Sequence, residues 1–526
     1  MFELTNSIKQ IKEYEKLSDA VQSGRTPVLA CGLSAVHKAQ LAAALRLETG
    51  RPVFVLTDDE AAANRLAADL AAFSGLQDVL VVPSREFMFL GVESHSHSYE
   101  QARIAALSRL RQGAPIAVAS IAAAQQAAIP PAVLEQATLE LCTGAAEPLN
   151  QLVQKLVAAG YQRTAQVEGY GQFSVRGGIL DLFPPQEESP VRVEFWGDEI
   201  DSMGYFDVGS QRRGGSLSRL LCLPCMEALP GQAEGGIPGL CSRLTKIVSG
   251  RRKKHPDLGK NIENDLERLR ETALLPAADK YFPEIYGSEP ATLFDYLPKD
   301  TILLVDDTPR LREAARGYFQ HLTFDLETLT ERGELPHETA GFALDFLRIA
   351  DRFGHFPTVR LDTFLNAIPE LAPKTLLNFT AGQMNAFSGS MEALCSDIDA
   401  YLLQNRAVVV VCGSALRCKN MLEILQDAGL PARCTDELPQ RGQVSVMEGH
   451  ISAGFEYPET GMTVLTEGRS ATRKPSKRNK TGRDRVRSYA DLTPGDLVVH
   501  EYHGIGRFIG MERMVVDDAE RDFIKI

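Results

Sequence analysis

Gly32, Lys38 and Asp306 stand at spacings that, in a nucleotide-hydrolysing protein, would hold phosphate and magnesium. A phosphate-binding loop has the pattern G-x-x-x-x-G-K-[ST]: its glycines let backbone N–H groups reach the phosphates, its lysine meets the terminal phosphates, and its hydroxyl holds Mg²⁺. Gly32 and Lys38 fill the first-glycine and lysine positions, but His37 replaces the second glycine and Ala39 the hydroxyl residue. A side chain at 37 obstructs the close backbone approach, and Ala39 offers Mg²⁺ no oxygen. The acidic counterpart would be an Asp–Glu pair closing a buried strand. Thr301 to Val305 reads as that strand, and Asp306-Asp307 follows it, with the second carboxylate one methylene short. These residues predict a degenerate nucleotide site, with no catalytic residue and no cofactor for this segment. The alternative is a weak ATP site using Lys38 and Asp306.

Other candidate ligands are sparser. Cys222-Leu-Pro-Cys225 is a lone CxxC followed by a single Cys241, and zinc needs a second ligand pair. His95-Ser-His97 has no acidic or cysteine partner nearby and reads as a surface loop. No metal site is expected. Residues 246–275 read as a charged helix or helical hairpin, with Arg251-Arg252-Lys253-Lys254 a solvated turn and contact with nucleic acid the alternative. Between Gly468 and Ser488 lie nine basic residues, from Arg469 to Arg487, and one acid, Asp484. With little apolar to bury, that stretch is expected to be a flexible linker with incidental affinity for DNA phosphates.

Several stretches must position these groups. Residues 161–207 are β-patterned: Phe173 and Val175 alternate with polar neighbours, Gly177-Gly178 turns the chain, and Ile179 to Phe183 runs to Pro184-Pro185. Val191 to Trp196 then turns at Gly197-Asp198 into Ile200 to Phe206. Such runs predict an antiparallel meander whose wet face carries Arg163, Arg176, Arg192 and Glu194, a surface for docking rather than chemistry. Upstream, a helix over 6–22 precedes four strands (27–30, 51–56, 79–82 and 116–119) alternating with helices, which implies a parallel sheet. From about 355 a separate α/β domain is expected, with a strand at Arg406 to Cys412, a helix from Ser414 to about Gly429, and further strands at 443–447 and 462–465. After the linker, short strands from Leu497 on read as the start of a small barrel that stops in mid-strand at Ile526, so the chain is expected to be the front portion of something longer. The bulk numbers fit: 526 residues suggest about three or four domains at ~150 each. A net charge of −13 excludes a nucleic-acid-coating protein, nine scattered cysteines suit a reducing cytosol, and no apolar run nears the ~18–20 residues of a membrane span. A cytoplasmic location is expected.

Three stretches carry a resemblance to bacterial transcription-repair coupling factors, in their N-terminal half. GQFSVRGGILDLFPP with VRVEFWGDEIDSMGYFD resembles the family's UvrB-homology insert; TLFDYLPKDTILLVDD resembles its degenerate acidic segment; LTPGDLVVHEYHGIGRFIGM resembles the start of its RNA-polymerase-interacting, CarD-like domain. The fold it implies is α/β: a degenerate P-loop, helicase-like core at 1–127 and 215–350, an inserted mainly antiparallel β domain at 128–214, an α/β domain at 355–467, a basic linker at 468–488 and a truncated barrel at 489–526. It implies UvrA as the partner of Arg176, with Arg163, Phe183 and Arg192 on matching strands. Core packing remains the other reading for Phe183. It implies the RNA polymerase β subunit as the partner of a hairpin holding Glu501, Tyr502, His503, Gly504 and Arg507. The family's ATP-driven translocase, which needs ATP and Mg²⁺ and tracks double-stranded DNA, would follow. Ala119-Ser120 runs straight into IAAAQQAAIPP, without the tyrosine-rich hairpin that UvrB uses in damage verification. The expected role is an adaptor; an ATP-dependent helicase and a DNA-binding module driven by residues 469–487 are the alternatives.

Overall fold

In the computed structural model of the chain, the described residues are 1–76, 79–89, 98–251, 256–272, 275, 277–336, 341–384, 387, 390–467, 497–500, 504–507, 509–516 and 519–525. They form two compact units, Met1–Arg469 and Ser470–Ile526. His95, His97, Arg252 to Lys254 and the basic run at 469–487 lie outside the described residues. No described helix is long and apolar enough to cross a membrane.

The first strands are β1 (Val28–Cys31), β2 (Val53–Thr57), β3 (Leu80–Val82) and β4 (Ile116–Ser120), alternating with helices Ala35–Thr49, Glu60–Ser74 and Ser98–Arg111. β1, β2 and β4 are buried along their whole length, as continuous apolar runs must be when helices cover both faces. The expected N-terminal helix is interrupted: Phe2–Asn6 and Lys12–Gln22 are α-helical, with a 3₁₀ turn between them and Ile11 extended. Gln40 donates to the Leu4 carbonyl at 2.7 Å, taking up an oxygen that a continuous helix would use.

After β4 and helix Ile121–Gln125 the chain leaves the sheet. β5 (Leu139–Cys142) precedes helix Leu149–Ala158; then β6 (Gln162–Arg163), β7 (Gln172–Arg176), β8 (Ile179–Leu182), β9 (Val191–Trp196), β10 (Glu199–Phe206) and β11 (Arg213–Leu217) form one sheet in the order β11-β10-β9-β8-β7-β6. All its pairings are antiparallel except β6 with β7. β12 (Arg219–Cys222) returns beside β5. The sheet packs Phe173, Leu180, Val193 and Met203 against Leu152 and Leu156 of the helix, a core separate from that of the parallel sheet. Next come two packed helices, Gly236–Arg251 and Pro256–Thr272, where a charged helix or helical hairpin was expected over 246–275, and then β13 (Ile302–Asp306).

β13 enters the first sheet, and so do β14 (Thr358–Asp362) and β15 (Thr375–Asn378), giving the all-parallel order β15-β1-β14-β13-β2-β4-β3 among the described residues. The sheet thus continues past residue 350 into a stretch that sequence patterning assigned to the next domain. β1 lies between β14 and β15, so the N-terminal strand is a central one only because these later strands flank it. A further six-stranded sheet follows: β16 (Gly382–Met384), β17 (Ala407–Cys412), β18 (Ala432–Cys434), β19 (Val444–Glu448), β20 (Gly454–Tyr457) and β21 (Met462–Thr466), in the order β16-β20-β21-β17-β19-β18. Its inner residues Val409, Val411, Phe455 and Val464 share one apolar cluster with Leu41, Ala44 and Leu70 of the first sheet's helices. In the second unit, β22 (Leu497–His500) pairs with β23 (Gly504–Arg507), and β24 (Gly510–Val516) with β25 (Ala519–Lys525), as two antiparallel hairpins where a barrel's first strands were expected.

Candidate functional site: a closed nucleotide corner and an exposed sheet face

The loop after β1 reaches the position of a phosphate cradle, and other groups already fill it. Gly32 has φ +86°, and a Cβ there would stand 2.2 Å from the Phe379 carbonyl oxygen. The chain leaving β15 crosses this loop, since Phe379 N–H donates to Cys31 O at 2.9 Å. Close approach of protein backbone therefore explains the glycine without any phosphate. His37 is fully buried. It caps its own helix by accepting from Ser34 N–H at 3.3 Å, and its ring meets Phe455 and Tyr457 of β20 edge-on, with centroids 5.3 and 5.0 Å away. Burial lowers its pKa to about 4, so the ring is neutral. Tyr457 donates to Gln40 at 2.7 Å, and Ser452 donates twice to Asp69. The second α/β sheet thus closes over the helix that would have presented its N-terminus to phosphate.

Lys38 and Asp306, read as the surviving halves of a phosphate and magnesium site, bind each other instead. Lys38 Nζ lies 2.5 Å from Asp306 Oδ1. Burial raises the Asp306 carboxyl, and the lysine pulls it back down. Asp307, at the position of a water-activating glutamate, has φ +46° and accepts from the Thr363 hydroxyl at 2.9 Å. The structure thus brings Lys38 and Asp306 together, where they satisfy each other's charge, while Gly32 lies against the Phe379 carbonyl.

The exposed face of the β6–β11 sheet is the second candidate. Strand alternation and register put Ser174, Asp181, Arg192 and Gly204 in one outward row, and Arg176, Ile179, Glu194 and Ser202 in the next. Asp181, only 1% exposed, receives Arg176 Nη2 at 2.7 Å and Arg192 Nε and Nη2 at 2.7 and 2.9 Å. One buried carboxylate therefore orients two guanidiniums. The Asp181 hydrogen bond raises the Arg192 pKa, and Arg192 also lies over the Phe206 ring at 4.7 Å. Arg192 is mostly covered, whereas the Arg176 side chain is 53% exposed and keeps free donors. Phe183 is 7% exposed and forms a small outward cluster with Val167 and Phe206, its ring 4.3 Å from that of half-exposed Tyr170. It belongs to this face rather than to the meander's main core.

The four residues expected on one wet face are split. Arg163 is exposed, but it pairs with Phe173, which faces the packed side, so it marks the sheet edge rather than the row of Arg176. Asp181 was missed, although an acid alternating with Leu180 and Leu182 in a strand that also bears apolar residues is a signal for a paired buried carboxylate. Cys222 and Cys225 are buried free thiols with burial-raised pKa values, and no group of three or more metal-ligating side chains occurs among the described residues. Glu501, Tyr502 and His503 lie outside the described residues; Gly504 and Arg507 are on β23, with Arg507 exposed.

Two stretches of the chain match known protein families. A family model described as the UvrB interaction domain matches residues 139–227, which hold the whole exposed sheet, and one described as the CarD-like/TRCF RID domain matches residues 492–526. The transcription-repair-coupling factor of Bacillus subtilis (strain 168) is 29% identical over 532 residues, covering 99% of this chain and 45% of that protein. That of Staphylococcus aureus (strain MRSA252) is 26% identical over 541 residues, with the same coverages of 99% and 45%. The chain spans less than half the length of these curated relatives.

Proposed function

We propose, from a chain that resembles the N-terminal portion of transcription-repair-coupling factors along 99% of its length, that it is a docking adaptor joining UvrA to RNA polymerase. The observation that carries the reading is the outward face of β7–β10, where Asp181 holds Arg176 with much of its guanidinium in solvent. An anchored arginine on a rigid sheet loses little freedom on binding, and arginine is enriched among the residues that dominate interfaces. UvrA is the partner assigned to this face, with Phe183 and Arg192 bracing it and Arg163 at its edge. The RNA polymerase β subunit is assigned to the β22–β23 hairpin, through Glu501 to Arg507. The match of residues 139–227 to the UvrB interaction domain and of 492–526 to the CarD-like/TRCF RID domain supports both assignments.

In this reading the segment works without ATP or Mg²⁺. The closed corner at Gly32, Lys38 and Asp306 supports that, because a nucleotide would have to displace β20 side chains and an ion pair. ATP-driven translocation on double-stranded DNA belongs, in the same reading, to the remainder of a full-length factor. The test is a titration of the purified chain with UvrA, alongside the Arg176→Ala variant. Wild-type binding weakened tenfold or more by the substitution is the expected result. Absence of binding, or equal affinity of the variant, would overturn the UvrA assignment. A parallel pull-down with polymerase β subunit should retain wild-type chain and lose Arg507→Ala.

A further inference from the structure

Trp196 is the one tryptophan in the 526-residue sequence, and its side chain is uncovered: the residue is 83% exposed at the end of β9. Its position follows from alternation along the strand. Val193 is fully buried, Phe195 packs against the sheet's core, and Glu194 and Trp196 point the other way. That is the face carrying Arg176. Register gives the same result: Arg176 is opposite Ile179, Ile179 is opposite Glu194, and Trp196 is two residues further along β9, opposite exposed Glu199. At about 4.8 Å between strands and about 3.4 Å per residue, Arg176 and Trp196 stand roughly 12 Å apart at their backbones, well inside the ~800 Å² that one partner contributes to a standard interface.

Among the described residues nothing covers the indole, and the neighbouring turn explains why. Beside the end of β9 runs the β7–β8 turn, where Phe195 N–H donates to Gly178 O at 2.8 Å. Gly177 and Gly178 offer no side chain to lean on the ring, and a Cβ at Gly178 would stand 3.1 Å from the Phe195 carbonyl. Glu194, two residues back on the same face of β9, is occupied by Ser202 at 2.9 Å and by Arg213 at 3.4 Å. An indole buries some 150–250 Å² when it docks, and tryptophan heads the residues that dominate protein interfaces. A solvent-facing one at a hairpin end contributes little to the core.

We infer that Trp196 is a second anchor of the Arg176 docking face, inserting its indole into an apolar recess of the same protein partner whose carboxylate engages Arg176. The inference rests on the proposed UvrA-docking role of that face, and continuity of the outward rows is what assigns both anchors to one occupant. Arg176 supplies charge and direction; Trp196 supplies buried apolar area; half-exposed Tyr170, packed on Phe183, adds apolar surface to the same face.

Because the chain has a single tryptophan, 5-fluorotryptophan labelling gives one ¹⁹F resonance, and unlabelled UvrA is the titrant. The expected result is a saturable shift or broadening of that resonance, a tenfold or greater loss of affinity in Trp196→Ala, and recovery of most of it in Trp196→Phe. The unfolding midpoint of Trp196→Ala should match wild type, since the ring is outside the core. If the resonance does not move and Trp196→Ala binds like wild type while Arg176→Ala is impaired, the anchor role is overturned and the docking role stands. If the wild-type chain does not bind UvrA, both fall together.

Discussion

At the residue scale, ordinary side chains occupy the positions where chemistry would be sought, and each has found a partner. Asp181 makes charged hydrogen bonds to both Arg176 and Arg192 from a position 1% exposed. Asp181→Ala should lower stability by about 1–3 kcal/mol, because it removes three charge-assisted hydrogen bonds and leaves Arg192 partly buried without its carboxylate. Urea denaturation checks the loss, and UvrA titration should show weaker binding as Arg176 loses its support. His37 gives a pH dependence. Its folded pKa of about 4 lies below the ordinary 6.5. Above pH 6.5 neither state binds the proton and the contribution is fully present. As pH falls toward 4, the unfolded chain protonates first and stability is lost, by up to ~3 kcal/mol. His37→Gln, which can keep the hydrogen bond from Ser34 N–H, should flatten the profile between pH 6.5 and 4.5; an unchanged profile would assign the acid sensitivity elsewhere.

At the scale of elements, the crossing of the β1 loop by the strand exit at Phe379 is the tightest constraint in the corner. Gly32→Ala places a Cβ 2.2 Å from a backbone oxygen at φ +86°. Backbone strain alone costs roughly 1–3 kcal/mol, and the contact with unyielding backbone adds to it. A thermal-unfolding midpoint several degrees below wild type is expected. If Gly32 served a phosphate instead, the substitution would leave the apo protein's midpoint unchanged and affect nucleotide binding alone. A second constraint ties the insert to the core. Arg85, after β3, faces Asp279 and Glu227, and Arg103 of helix Ser98–Arg111 faces Glu227 at 3.2 Å, all of them buried. Glu227 follows the insert's last strand, so this buried charge cluster fixes where the chain re-enters the core.

For the whole molecule, closure of the second sheet over the nucleotide corner predicts that the chain neither binds nor hydrolyses ATP. Titration with a fluorescent ATP analogue should show no saturable signal, and Lys38→Ala should leave that baseline unchanged. Saturable binding lost on Lys38→Ala would revive the helicase reading. How much of this was legible in the sequence depends on the range of the interaction involved. The β9 strand, the Gly197-Asp198 turn and the all-buried β17 were readable because a strand's alternation, a turn's glycine and a continuous apolar run are local properties. The face of Arg163 was not, because it depends on the register of β6 against β7, and a shift of one residue exchanges the two sides.

The residue types at 37 and 39 by themselves ruled out an intact phosphate loop, since no folding can supply a missing hydroxyl or remove a Cβ. The order of strand and helix runs by itself determined a parallel sheet with a β insert. Only the tertiary structure decided that β14 and β15 flank β1, that His37 is sealed by Phe455 and Tyr457, and that Lys38 meets Asp306 across 268 residues of chain. These are pairings between groups far apart in sequence, whose favourable geometry exists only once the intervening chain has folded and left them no water to prefer.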